Sequence, residues 1–355
     1  MKRRTLLRHA TLAPLLLATR RAWPGAAEPS GGWRRFELVY HVDLSSLEGP
    51  GRLWLPLPQD AGEYQRVREL RWEGDVDGAA LSRDPVYAAP VFSMAWDGSR
   101  APRPLVVSAQ IALRDRSLTD GSAPPSSPDD ARRYLQATAH MPVDGIVATT
   151  AETILANSGA RDDLARARAI YEWIVDNTFR EPTVRGCGTG DIRSMLETGN
   201  LGGKCADINS LFVGLARAAG IPAREVYGVR IGPSVQFPCL GKPAGDVSGA
   251  QHCRAEFLDP RRGWVPVDPA DVRKVVLEEG LSLADRRVRT LRERLFGDWE
   301  MNWVAFNHAR AFELVPPART PLPYLMYPYA EFGERVLDGR DPAESGFRIH
   351  SRALA

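Results

Sequence analysis

Asn200-Leu201-Gly202-Gly203-Lys204-Cys205-Ala206-Asp207-Ile208-Asn209-Ser210-Leu211-Phe212-Val213-Gly214-Leu215-Ala216-Arg217-Ala218-Ala219-Gly220-Ile221-Pro222 is the stretch on which the fold turns. Ile208, Leu211, Phe212 and Leu215 recur at the spacing of one helix face, and the pattern stops at Gly220 before Pro222. The spacing predicts a helix whose first turn carries Cys205, directly behind Gly202-Gly203. A thiol there faces unsatisfied backbone N–H groups and the positive end of the helix dipole, both of which favour thiolate. The two glycines allow a tight backbone turn and leave the sulfur approachable. A mid-helix cysteine would read as inert core; this one reads as a candidate nucleophile.

Such a thiol needs a base, and the chain has six histidines. Gln251-His252-Cys253-Arg254-Ala255-Glu256-Phe257 alternates like a strand, Asp259-Pro260-Arg261-Arg262-Gly263 is a turn, and Trp264-Val265-Pro266-Val267-Asp268 is a returning strand. With residues 256 and 264 taken as a cross-strand pair, His252 falls opposite Asp268 on one face. The register is set here by the turn position, and a one-residue slip would separate them. The sulfur would attack a carbonyl, the imidazole would hold and relay the proton, and the carboxylate would fix the imidazole tautomer. The Cys205 N–H is the expected first oxyanion donor.

Gly203-Lys204-Cys205-Ala206-Asp207, the helix behind it and Ala219-Gly220-Ile221-Pro222-Ala223-Arg224 resemble the cysteine segment of the transglutaminase-like superfamily. His252 at a strand start and the Trp264–Pro269 segment resemble its histidine and aspartate marks, in the family's order and at spacings of 47 and 16 residues. The resemblance covers roughly residues 160 to 275. It implies an α+β fold with a papain-like core, a Cys205–His252–Asp268 triad, no metal or cofactor, and acyl transfer through a thioester. Cross-linkers, amide hydrolases, peptidases and inactive scaffolds all share it.

Other readings of these residues stay open. Cys205 can be a buried structural thiol or half of a disulfide, and Asp268 can simply open a turn at Pro269. His308, in Trp303-Val304-Ala305-Phe306-Asn307-His308 among aromatics at helix-like spacing, is a rival base that reads as structural. Cys253 should point away from the reaction, one residue along the strand from His252. Cys187 and Cys239 are the pair that a disulfide would join in an oxidising compartment. The four cysteines show no CxxC-type zinc spacing. Lys204, Asp207, Arg224, Arg254 and Glu256 either shape the cleft or form solvated ion pairs.

Upstream, residues 31–118 carry period-two runs, Phe36-Leu38-Tyr40-Val42-Leu44 and Leu105-Val107-Ala109-Ile111-Leu113 among them, and predict an all-β sandwich-like domain. The turn-rich stretch 119–126 reads as a linker, and Ser127-Pro128-Asp129-Asp130 as a helix start. The catalytic domain is expected over 128–275, with a helix from Asp162 to Asn177. A helical and Pro-rich extension is expected over 276–355, including a basic helix near 283–296.

Residues 1–27 resemble a twin-arginine export signal: Arg3-Arg4, a short apolar run to Ala18, and small residues at 25–27. Its loss would remove six bases and no acid, taking the net charge from +2 to −4. A nucleic-acid partner therefore has no support. Outside the leader no stretch has the roughly 18 apolar residues of a bilayer span. The expectation is a periplasmic or secreted cysteine enzyme acting on a peptide or protein amide, by hydrolysis or by transfer to an amine. The alternative is a non-catalytic scaffold that binds a protein or cell-wall partner.

Overall fold

The computed structural model describes residues 32–74, 78–118, 128–311, 313–342 and 345–354. The expected export signal and the linker 119–126 lie outside the described residues. No helix among those described is long and apolar enough to cross a membrane.

The fold is α+β. Helix Cys205–Ala218 runs through the middle of the papain-like half, and every residue from Cys205 to Arg217 is buried. Helices Gly145–Ser158 and Asp163–Asn177 cover one side of it; a four-stranded antiparallel sheet covers the other. That sheet runs in the order Gly263–Val267, Gln251–Asp259, Ala223–Arg230, Trp303–Asn307. Ala167, Ile170, Tyr171 and Ile174 form the buried face of the Asp163–Asn177 helix, capped by Asp162 accepting from the Ala165 N–H.

Two five-stranded antiparallel sheets make the sandwich. One orders Gly245–Asp246, Phe347–Leu354, Arg34–Val42, Leu105–Leu113, Gln65–Glu73. The other orders Arg335–Asp338, Tyr329–Phe332, Gly51–Pro56, Pro90–Trp96, Ala80–Arg83. The alternating Phe36, Leu38, Tyr40 and Val42 point into the shared core, with Val229, Val304 and Phe306 of the central sheet joining it.

Residues 276–355 do more than extend the chain. Besides the basic helix, Arg286–Arg294, they supply three strands of the sandwich and the last strand of the central sheet. Trp303–Asn307, expected at helix-like spacing, is that central strand, buried throughout. Short strands with both faces covered lose the alternation by which a strand is read, and Trp303–Asn307 pairs with the distant Tyr227–Arg230.

The two halves are bolted by Glu256. It takes Arg224 at 2.6 Å and also Arg116, whose guanidinium lies 4.8 Å from the Tyr64 ring centre and 4.7 Å from that of Trp299. Burial pushes the Glu256 carboxyl up, but the two arginines outweigh it and bring its pKa down to about 2. Arg224 and Glu256 are therefore a buried ion pair away from the thiol.

Candidate active site

The helix tip that carries Cys205 is braced by Asp207. One carboxylate oxygen accepts from the N–H groups of Thr189 (3.0 Å) and Gly190 (2.9 Å), the other from Lys204 N–H (3.0 Å). This ties the loop at 187–190 to the first turn. Ala206 N–H donates to the Cys187 carbonyl at 2.9 Å. The glycines act by close approach: a Cβ on Gly203 would meet the Asp207 Cβ at 2.5 Å, and one on Gly202 would meet the Phe179 ring at 2.4 Å. Gly188, at φ +93°, leaves no room for a Cβ beside the Asp207 carboxylate.

His252 begins the strand Gln251–Asp259, where the Trp303 indole N–H donates to its carbonyl at 2.8 Å. The cross-strand register differs from the expected one by two residues: Glu256 pairs with Pro266 and Leu258 with Trp264. A two-residue slip preserves the face. The strand ends at Val267, and Asp268 leaves the sheet to cap the helix Pro269–Glu278, accepting from Asp271 N–H at 3.2 Å. From there its other oxygen lies 2.7 Å from His252 Nε2. Asp268 therefore serves as helix cap and imidazole partner at once.

With Nε2 engaged by a carboxylate, Nδ1 is the nitrogen left for Cys205, whose ionisation is influenced by the side chains of Cys187, Cys253 and His252. Cys205, His252 and Asp268 are only 3%, 3% and 0% exposed, so their charges interact with little screening. Burial alone would raise the Cys205 pKa; the hydrogen bonds from Cys187, Cys253 and His252, with the His252 charge, bring it well below that of an ordinary thiol. For His252, burial and then Arg230 pull the pKa down, while Asp271 and Asp268 more than offset them and leave it raised. Asp268 is raised, chiefly by burial and then by Asp271. The combination favours thiolate beside imidazolium.

Cys253 corrects an expectation: its thiol reaches the Cys205 sulfur instead of pointing away from it, because the helix tip lies against the start of the strand, where both neighbouring side chains come within reach. All four cysteines are free, so the Cys187–Cys239 pairing is also corrected. Cys187 lies against Cys205 with its sulfur 3.2 Å from the Gln251 carbonyl, whereas Cys239 N–H donates to Glu279 at 3.0 Å. The bond to Cys205, then burial, keeps Cys187 protonated as a donor.

Three supporting residues, Asn209, Arg230 and Asp271, had no sequence signature, whereas Arg254 was among those expected to shape the cleft. Asn209, one turn along the helix from Cys205, donates to the Cys253 carbonyl (2.9 Å) and to Asp268 (3.2 Å). Arg230 grips Asp271 at 2.6 Å, and Asp271 lies 3.5 Å from His252 Nε2. Arg254 Nε lies 3.7 Å from Asp268. His252, Asp268 and Asp271 converge closely enough to resemble metal ligands. Their facing atoms are already joined to one another, to Asn209, to Arg230 and to a helix N–H, so the group reads as an ion-paired network. His308 sits elsewhere, 2.9 Å from the Gln59 amide, and burial pushes its pKa down to about 3.

Residues 149–269 match the transglutaminase-like superfamily. A Haemophilus influenzae protein of uncharacterised function is 41% identical over 340 residues, covering 90% of this chain and 91% of its own. A protein-glutamine gamma-glutamyltransferase of Pseudomonas aeruginosa is 27% identical over 380 residues, covering 95% of this chain but 51% of that protein, so the chain spans about half of that relative. In fold, a candidate cysteine protease of Cytophaga hutchinsonii superposes with a TM-score of 0.53 over 92% of both chains, at 12% identity. With a cysteine-tipped helix packed on the sheet that carries its histidine, and with these similarities, the chain belongs to the transglutaminase-like superfamily.

Proposed function

We propose that the chain is a cysteine-dependent amide-bond enzyme in which Cys205 is the nucleophile, His252 its base and acid, and Asp268 the orienter. The observation that carries this is a buried thiol at a helix tip beside an imidazole that lies 2.7 Å from a carboxylate, an arrangement that supports a lowered thiol pKa. The thiolate sulfur attacks the amide carbonyl carbon, forming a C–S bond and an oxyanion beside the Cys205 N–H. The imidazolium of His252 gives its proton to the amide nitrogen, the C–N bond breaks, and a thioester remains. Water then loses a proton to His252, attacks the thioester and returns the thiolate. An amine in place of water would give transfer; hydrolysis is preferred because water is always present. The reading takes residues 1–27 as an export signal, so the peptide or protein substrate is met in the periplasm or outside the cell.

The test is acyl-enzyme trapping from an amide-bearing peptide library, with the adduct located by mass spectrometry. An adduct on Cys205, absent after Cys205→Ala, is the expected result. A folded protein that forms no adduct, and whose cellular role survives Cys205→Ala, would favour the scaffold.

A further inference from the structure

The wall of the cleft over Cys205 is basic. A cavity of about 150 Å³ opens above the thiol, and Arg180, Lys204, Arg230, Lys274 and Arg340 all line it, whereas no carboxylate does. Arg230 is committed to Asp271 and belongs to the triad's support. Of the other four, Lys274 and Arg340 are paired directly to a carboxylate, Arg180 is paired weakly and Lys204 is not paired. Arg180 reaches Glu278 only at 3.8 Å, and Lys274 shares that same carboxylate. Arg340 pairs with Asp338 at 2.8 Å, and Arg185 shares it at 3.3 Å. Lys204, immediately before the nucleophile, has no carboxylate within ion-pair distance among the described residues; Glu181 feels the Lys204 charge and Glu279 that of Lys274. Five bases thus line the cavity, while the carboxylates that pair with them do not. In a narrow cleft with a packed protein wall, such an arrangement concentrates anions.

We infer that the cleft selects an acyl donor carrying a carboxylate close to the reacting amide, so that the preferred substrate is an acidic peptide. This rests on the enzymatic reading of Cys205 above. Lys204 and Arg340, which line the same cavity as the sulfur, are the specificity residues, offering charge-assisted hydrogen bonds to a carboxylate. The same bases could instead serve only to hold the thiolate, and the test separates the two roles.

Cys205 is alkylated with iodoacetamide, which is neutral, and with iodoacetate, which carries the carboxylate. The ratio of the two rates is compared with that of 2-mercaptoethanol. If the His252 imidazolium alone attracts iodoacetate, the ratio is the same in the native protein, Lys204→Gln and Arg340→Gln, and the inference falls. A wall that selects carboxylates raises the iodoacetate-to-iodoacetamide ratio by about fivefold or more at low salt, an excess that shrinks toward that of 2-mercaptoethanol in 0.5 M NaCl. Lys204→Gln and Arg340→Gln should each lower the ratio at least about twofold, with the iodoacetamide rate reporting any loss of fold. A ratio equal to that of 2-mercaptoethanol overturns the inference while leaving the enzyme intact. If iodoacetamide labels Cys205 no faster than the other thiols, it is the enzymatic reading that fails. In the library experiment the trapped acyl groups should be enriched in Asp and Glu; an uncharged or basic set counts against acidic selection.

Discussion

Replacing Asp268 by Asn tests the site's central geometry at constant shape. The carboxylate has two oxygens in different service: one faces His252 Nε2 at 2.7 Å, the other accepts from Asn209 and from the Asp271 N–H, each at 3.2 Å. An amide has one oxygen. Turned toward the helix cap, it sets its own N–H₂ against His252 and leaves the imidazolium without its acceptor. Turned toward His252, it opposes two donors and uncaps the helix. Either orientation removes the negative charge. A hydrogen bond to a charged group contributes about 1.5–3 kcal/mol, which is about one to two pKa units on the thiol it supports. The assay is the rate of Cys205 alkylation by iodoacetamide against pH, read by mass spectrometry. In the native protein, reactivity should persist well below the ordinary thiol range, because the folded site lowers the Cys205 pKa. Turnover should fill the interval between the lowered Cys205 pKa, through which it rises, and the raised His252 pKa, through which it falls. In Asp268→Asn the acid limb of alkylation should move up by about one to two units. Superimposable profiles in the two proteins would refute the account, since the carboxylate would then have no hold on the thiolate.

Three further outcomes are expected. His252→Gln should raise the Cys205 pKa, whereas His308→Gln should leave the alkylation profile in place, because His308 bonds to Gln59 and lines another cavity; equal effects would dissolve the distinction. Asp207→Ala removes the acceptor of three backbone N–H groups and should destabilise the protein by about 2–4 kcal/mol, and Gly188→Ala, at φ +93° against that same carboxylate, by about 1–3 kcal/mol. Thermal melts measure both, and an unchanged midpoint in either would remove Asp207 as the brace of the helix tip. Excess EDTA should leave Cys205 alkylation and peptide turnover unchanged; loss restored by a divalent metal would turn the His252–Asp268–Asp271 group into a metal site.

Local periodicity was enough for the helix from Cys205, the strand that carries His252 and the closeness of His252 to Asp268, although Asp268 meets the imidazole from a helix cap. Each depends on residues within one or two turns or a single hairpin. The parity of a strand survives a two-residue error in register, which is why the pairing in space was legible although the paired partners were not. Tertiary structure alone decided what surrounds the thiol. Cys187 and Cys253 meet Cys205 only because the helix tip lies against the strand and the 187–190 loop, and Arg230 reaches Asp271 across an interval of 41 residues. The strands Tyr329–Phe332 and Phe347–Leu354 find their sheets beside Gly51–Pro56 and Arg34–Val42. Side-chain chemistry and backbone period are written along the chain, but burial and ion pairing arise from contacts between distant segments. They therefore become readable only once the chain has closed on itself.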